Sequence, residues 1–328
     1  DVPGAKSLAA PAKVNPVAAD AVPVTLVKGG QGQASIVIPT VADQEQQKLY
    51  RTLAEELQGF IRQATGATLP VVAEGEFKSG TAIFLGNSEP ARKAGLACDD
   101  LPAENIRVRT GANALALIGY DRDTIPVKGP NGGMRTEQVL GQNGARVVGT
   151  RFAVYDFLER FLGVRFYFPG ELGTIVPATN DLVVAPVDYQ DAPVYRKREA
   201  WSFRYFNWAD DISKQAGFMW GEHLRDGSGG GIWTNHTYHG WTKLYGESHP
   251  EYFALRKDGT RHIKGFHDIG YVCPSNPEVL MREIEHFENY YQTGDRSPWD
   301  KNWVMYPRDS YIPLYPHDCF PGCECPDC

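Results

Sequence analysis

The 328 residues carry 33 Lys and Arg against 40 Asp and Glu, a formal net charge of −7 at pH 7. That balance gives no electrostatic footprint for nucleic acid or an anionic membrane surface, and no apolar run approaches the ~20 residues of a membrane-spanning helix. Hydrophobic residues at 42% and charged residues at 22% are those of a globular protein long enough for two domains with separate cores.

In chain order, residues 1–23 are rich in Ala and Pro and show no period. They read as a flexible leader left by removal of an export signal, which predicts a secreted or periplasmic protein. Residues 24–190 then alternate strands and helices. Ser35–Ile38 reads as a strand, followed by a helix over 43–65 whose apolar stripe is Leu49, Leu53, Leu57, Phe60, Ile61 and Ala64. Asp43 with Gln46 suits its start and Gly66 its end. Strands are predicted at Leu69–Val72 and Ala82–Leu85, and a hairpin joins Asn105–Arg109 to Ala114–Ile118 around Gly111. A second helix begins after Thr150, with Val154, Phe157, Leu158, Phe161 and Leu162 at helical spacing, and stops at Gly163 before a short strand, Arg165–Phe168. The pattern predicts a small, sandwich-like α/β domain with helices on one face of a mixed sheet. Between hairpin and helix, Asp121–Gly149 has six Gly and no hydrophobic period. It reads either as a disordered insertion or as a loop over a neighbouring site.

Residues 191–328 change character, becoming dense in Trp, Tyr, His and Arg. Val194–Ala200 and Trp303–Tyr306 read as strands, with a helix over 277–291 between them. Its expected capping box is Ser275 with Glu278, and Val279, Leu280, Ile284 and Phe287 are expected to face inward. Strand, long loops, helix and strand is the rhythm of the first strands of an incomplete (β/α)8 TIM-type barrel. A closed barrel needs eight strands, so further chain or another subunit is expected to cover the open edge.

Several segments carry a resemblance to known families. Leu53-Ala-Glu-Glu-Leu-Gln-Gly-Phe-Ile-Arg-Gln-Ala-Thr-Gly66, Ile83–Gly86, Gly149–Glu159 and Leu162–Gly170 resemble the N-terminal domain of microbial α-glucuronidases, similar to domains that precede the catalytic barrels of β-hexosaminidases. In the second half, Asn235–His239, His249–Ala254, Val272–Val279, Asp309 and Cys323–Cys328 resemble the barrel domain of a large bacterial family of unassigned function. The resemblance implies a secreted glycoside hydrolase acting on a uronic-acid or amino-sugar polysaccharide. A non-catalytic carbohydrate-binding protein and a polysaccharide lyase stay open as alternatives.

Glycoside hydrolysis needs two carboxyl groups. The resemblance places them on later barrel strands than those read here, so no catalytic pair is assigned, and no cofactor is expected. Candidate substrate-binding residues are those at the mouths of the early strands. His236 and His239 lie with Trp241 in a Gly- and Trp-rich loop, suited to hydrogen bonds beside a stacking ring, to loop packing, or more remotely to a metal. Asp309 falls at the expected C-terminal end of a strand, either binding sugar hydroxyls or capping a loop. Arg196 and Arg198 alternate along the first barrel strand and need carboxylate partners, from the protein or from a substrate uronate.

Four of the six cysteines, Cys319, Cys323, Cys325 and Cys328, crowd the last ten residues. In an exported protein they read as disulfide candidates, with a metal site as the lesser alternative. Cys98 and Cys273 are expected to stay outside that group.

Overall fold

Side chains that alternate along strands build the first part of the chain. The computed structural model describes residues 10–102, 104–121, 124–128, 134–138, 149–194, 211–225, 237–238, 240–265, 270–295, 297–298, 314 and 320–328. The chain divides into two units, Asp1–Ile125 with Glu137–Gly229, and Pro126–Thr136 with Gly230–Cys328.

The first unit is mixed α/β. Its strands are β1 (Lys13–Val14), β2 (Val24–Lys28), β3 (Gln31–Gly32) and β4 (Ala34–Ile38), followed by helix α1 (Gln44–Thr65). Then come β5 (Val71–Ala73), β6 (Thr81–Leu85), helix α2 (Glu89–Lys93), β7 (Ile106–Gly111) and β8 (Ala114–Gly119). After β9 (Thr124–Lys128) and β10 (Met134–Gln138), which fall mostly in the second unit, the first unit resumes with helix α3 (Thr150–Phe157), β11 (Arg165–Phe166), β12 (Thr174–Ile175), β13 (Leu182–Val184) and β14 (Asp188–Asp191). Seven strands form one sheet in the order β1-β14-β7-β8-β6-β4-β5. The β8, β6, β4 and β5 stretch is parallel, while β7, β14 and β1 add antiparallel.

Period-two alternation assigns the two faces. Ile36, Ile38, Ile83, Leu85, Leu115 and Leu117 enter the core shared with α1 and α3. Val37, Ala82, Phe84, Ala116 and Ile118 point the other way, onto Ala91, Leu96 and Leu101. The second face is therefore covered by α2 and the chain after it, where one-sided helices were expected. The sequence of α2 is only five residues long, too short to show an apolar period. Helix α1 starts and stops as its sequence predicts: Asp43 accepts the Gln46 N–H at 2.9 Å and Gly66 turns left-handed at φ 78°.

Two further expectations change. Residues 12–15, expected to belong to a flexible leader, are tied to the sheet: β1 pairs with β14, and the Asn15 N–H donates to the Asp188 carbonyl at 2.8 Å. Within the Asp121–Gly149 insertion, β9 and β10 pair as a two-stranded sheet. Their sequences, TIPVK and MRTEQ, alternate too briefly to read as strands unaided.

Helix α3 begins where backbones nearly touch. A Cβ on Gly119 would lie 2.1 Å from the Gly149 carbonyl carbon, so only Gly lets the end of β8 meet the start of the helix. Half-buried Asp121 clamps that junction, accepting from Thr150 N–H at 2.7 Å and from Tyr50 O–H at 2.5 Å. Burial raises its pKa against the opposing hydrogen bonds. Helix α4 (Asp211–His223) packs on this unit through Trp220, whose Nε1–H donates to the Phe166 carbonyl at 3.1 Å. His223 lies 2.6 Å from Glu56 and stacks on Phe166 at 4.1 Å. The first unit thus extends beyond the composition change at 191–193.

The second unit is organised around Trp241, at the start of helix α5 (Trp241–Tyr245). The indole is fully buried with Tyr252, Phe253, Val272 and Val279. Its Nε1–H donates to Glu283 Oε2 at 3.0 Å, which explains a buried carboxylate inside helix α6 (Pro277–Thr293). The buried stripe of α6 is therefore Val279, Glu283 and Phe287, while Leu280 and Ile284, expected inside, are 46% and 37% exposed. Asn276, not Ser275, is its N-cap, accepting the Glu278 N–H at 3.0 Å. The strands expected at Val194–Ala200 and Trp303–Tyr306 lie almost wholly outside the described residues.

Candidate functional site

The strongest concentration of reactive side chains lies in the second unit. Val272 bridges antiparallel to Phe253, which places Cys273 at the end of that contact and just before α6. Cys273 is 3% exposed. The Asn276 N–H donates to the Cys273 carbonyl at 3.3 Å, so Cys273-Pro274-Ser275-Asn276 closes as a turn with Pro at its second position. The last residues repeat the device: the Cys328 N–H donates to the Cys325 carbonyl at 3.1 Å, across Cys325-Pro326-Asp327-Cys328.

Backbone pairing brings the two turns together. The Glu324 N–H donates to the Leu255 carbonyl at 3.0 Å, and the Leu255 N–H points at Cys323 Sγ, 3.2 Å away. Cys273 Sγ then lies 3.6 Å from Cys323 Sγ, 3.7 Å from Cys325 Sγ and 3.8 Å from Cys328 Sγ. All four sulfurs fall within 4.8 Å of one another. The Ser275 hydroxyl, released from the capping role expected for it, stands 3.0 Å from Cys328 Sγ, 3.2 Å from Cys325 Sγ and 3.3 Å from Cys273 Sγ. Hydrogen bonding from Ser275 is the main cause that brings the Cys325 thiol down to about 6.

This arrangement corrects the disulfide expectation. Cys323, Cys325 and Cys328 are unbridged, and Cys273, expected to lie apart, completes their group. Cys319 lies outside the described residues. Cys98 belongs to the first unit, with Asp100 3.2 Å away. The signal that could have singled out Cys273 is the Cys-Pro pair it shares with Cys325.

Of the candidate sugar contacts, His236, His239, Asp309, Arg196 and Arg198 lie outside the described residues. Trp241 is described, and its burial corrects the expectation of a stacking ring: the indole is fully buried among aromatic neighbours, with Tyr245 at 4.8 Å and Tyr238 at 5.3 Å. Sequence density of aromatics does not separate a sugar platform from a core.

A cleft in the first unit sits at the carboxyl ends of β4, β6 and β8, lined by Tyr50, Asn87, Asp99, Tyr120 and Asp121 among others. Open α/β sheets place ligands there, yet the polar groups of this cleft serve the fold. Asn87 exchanges hydrogen bonds with the Cys98 backbone at 2.8 and 2.9 Å, Asp99 pairs with Arg92, and Asp121 holds α3.

Residues 168–328, which include the thiol cluster, match a family described as a domain of unknown function, DUF4838. No curated protein matches the sequence. Among solved structures, a mutant Streptomyces plicatus β-hexosaminidase in complex with the product GlcNAc is similar at 18% identity and a TM-score of 0.31, covering 57% of this chain and 26% of that one. A family GH115 4-O-methyl-α-glucuronidase with specificity for decorated arabinogalactans is similar at 12% identity and a TM-score of 0.28, covering 62% of this chain and 25% of that one. The chain thus spans about a quarter of the length of these solved structures.

Proposed function

We propose that the chain belongs to a secreted carbohydrate-active enzyme, a glycoside hydrolase acting on a polysaccharide that bears uronic acids or amino sugars. The observation that supports this reading most is the place of the resembling segments in the fold. Leu53–Gly66 forms the second half of α1, Ile83–Leu85 the inner parallel strand β6, and Gly149–Glu159 the helix α3 with the backbone contact at its start. These segments meet in one core, as the segments of a single ancestral domain would.

In this reading the second unit is the opening portion of a barrel, with its sugar contacts at His236, His239 and Asp309. Arg196 and Arg198 are suited to a substrate carboxylate through planar, bidentate hydrogen bonds. The catalytic carboxyl pair stays unassigned.

The test is product analysis with the full-length protein on glucuronoxylan, decorated arabinogalactan and amino-sugar polymers, read by reducing ends and mass spectrometry. Saturated oligosaccharides or released monosaccharides support the proposal. An unsaturated product absorbing in the ultraviolet would assign a lyase instead, and binding without any product would assign a carbohydrate-binding protein.

A further inference from the structure

We infer that Cys273, Cys323, Cys325 and Cys328 form a tetrahedral four-thiolate site for one zinc ion, a structural clip that fastens residues 323–328 to the base of α6. Zinc–sulfur bonds of ~2.3 Å at tetrahedral angles separate neighbouring sulfurs by roughly 3.8 Å. The three distances from Cys273, 3.6, 3.7 and 3.8 Å, are those of a shell around such an ion. A disulfide would need ~2.05 Å. Four sulfurs within 4.8 Å of one another also exceed what a single disulfide explains, since pairing any two leaves two thiols against it.

The surroundings fit metal-bound thiolates. Four thiolates around a divalent ion leave a net charge of −2, and such sulfurs accept hydrogen bonds. The Leu255 N–H at 3.2 Å from Cys323 is a donor of that kind, and the Ser275 hydroxyl, 3.3 Å from Cys273 and 3.2 Å from Cys325, has one proton to donate to either sulfur. The positive end of α6, 17 residues long, begins four residues after Cys273 and favours negative charge nearby. Soft thiolates in a tetrahedron select zinc over hard cations. Four protein ligands leave no open position, so the centre is structural and takes no part in bond cleavage.

Two features show why chain geometry permits it. Each Cys-Pro turn is closed by its own backbone hydrogen bond, and two bonds at Leu255, its carbonyl accepting from the Glu324 N–H and its N–H meeting Cys323 Sγ, bring the 323–324 segment beside it. The awkward single-residue gap between Cys323 and Cys325 is accommodated because the fourth ligand comes from 50 residues upstream. The clip thereby ties residues 323–328 to Cys273, independently of whether the enzyme proposal is correct.

The test is metal analysis of the full-length protein purified without chelator, together with three variants. One zinc per chain is expected in the native protein, in Cys319→Ser and in Cys98→Ser, and none in Cys273→Ser. Because Cys273→Ser can fail to fold, the native protein is also titrated with a mercurial thiol reagent. One zinc should leave as four thiols react. Cobalt substitution should give thiolate charge-transfer bands and the strong visible bands of a tetrahedral site. Zinc retained by Cys273→Ser, zinc lost from Cys319→Ser, or a metal-free native protein with bridged cysteines would each overturn the assignment.

Discussion

Replacing Gly119 by Ala tests the junction on which the first unit depends. The added Cβ would meet the Gly149 carbonyl carbon at 2.1 Å, its oxygen at 2.2 Å and the Thr150 nitrogen at 2.4 Å. All three are backbone atoms, so no side-chain rotation relieves the contact. The start of α3 must retreat by roughly 1 Å in an interior packed as densely as a crystal. Overpacking of this kind costs ~1–3 kcal/mol. The same shift strains the Thr150 N–H bond to Asp121 at 2.7 Å and the Gly119 N–H bond to Thr150 Oγ1 at 3.2 Å, each worth ~1–3 kcal/mol when left unmade in a buried place. With both bonds lost, the expected total is ~3–9 kcal/mol. Gly59 is the control: it lies within α1, with nothing within 4 Å of an added Cβ. There Ala should stabilise by ~0.5–1 kcal/mol. Equilibrium urea unfolding followed by far-ultraviolet circular dichroism measures both. A Gly119→Ala protein as stable as the native one would refute the close approach of β8 and α3.

Three other outcomes follow from the packing and the charges. Glu283→Ala should cost ~2–4 kcal/mol by orphaning the buried Trp241 N–H and leaving a void, whereas Glu283→Gln, which keeps an acceptor, should cost less than ~1 kcal/mol; thermal unfolding compares them. Asp188 is pushed up by burial, but hydrogen bonds from Arg107 and Asn15 outweigh this and hold its pKa below the usual carboxylate value. Its depressed folded pKa means that its contribution is complete above the unfolded value of ~3.9 and fades as pH falls through the folded one. The stability gap between native protein and Asp188→Asn, measured in urea from neutral to acid pH, should therefore close at the acid end. A gap constant across that range would count against the pairing with Arg107 at 2.8 Å.

How far the sequence carries depends on whether a signal is local. Helix α1 was legible from Asp43 to Gly66 because its cap, its stripe and its stop are all encoded within 24 residues. Strands β4, β6, β7 and β8 were legible because each is a continuous apolar or alternating run. The partners of β1 and β13 were not, since Lys13 pairs with Gln190 and Val24 with Val184, and no local pattern reports a contact across so much chain. Helix α6 shows the same limit within one element. Its existence and its N-terminal Pro277 are legible, but it runs on to Thr293, past the expected end at 291, and its buried face includes Glu283, which the distant Trp241 N–H and His286 Nδ1 on the same helix accompany. For the thiol site the sequence exposed three of the four ligands as a crowd. The fourth, Cys273, looked solitary because its neighbours are assembled by the pairing of Leu255 with Glu324.

X-ray absorption at the zinc edge, recorded on the native protein, tests the central assignment most directly. The account predicts a single shell of four sulfur scatterers at ~2.3 Å with no nitrogen or oxygen neighbour. A shell containing nitrogen or oxygen, or an unchanged four-sulfur shell in the Cys273→Ser protein, would contradict it.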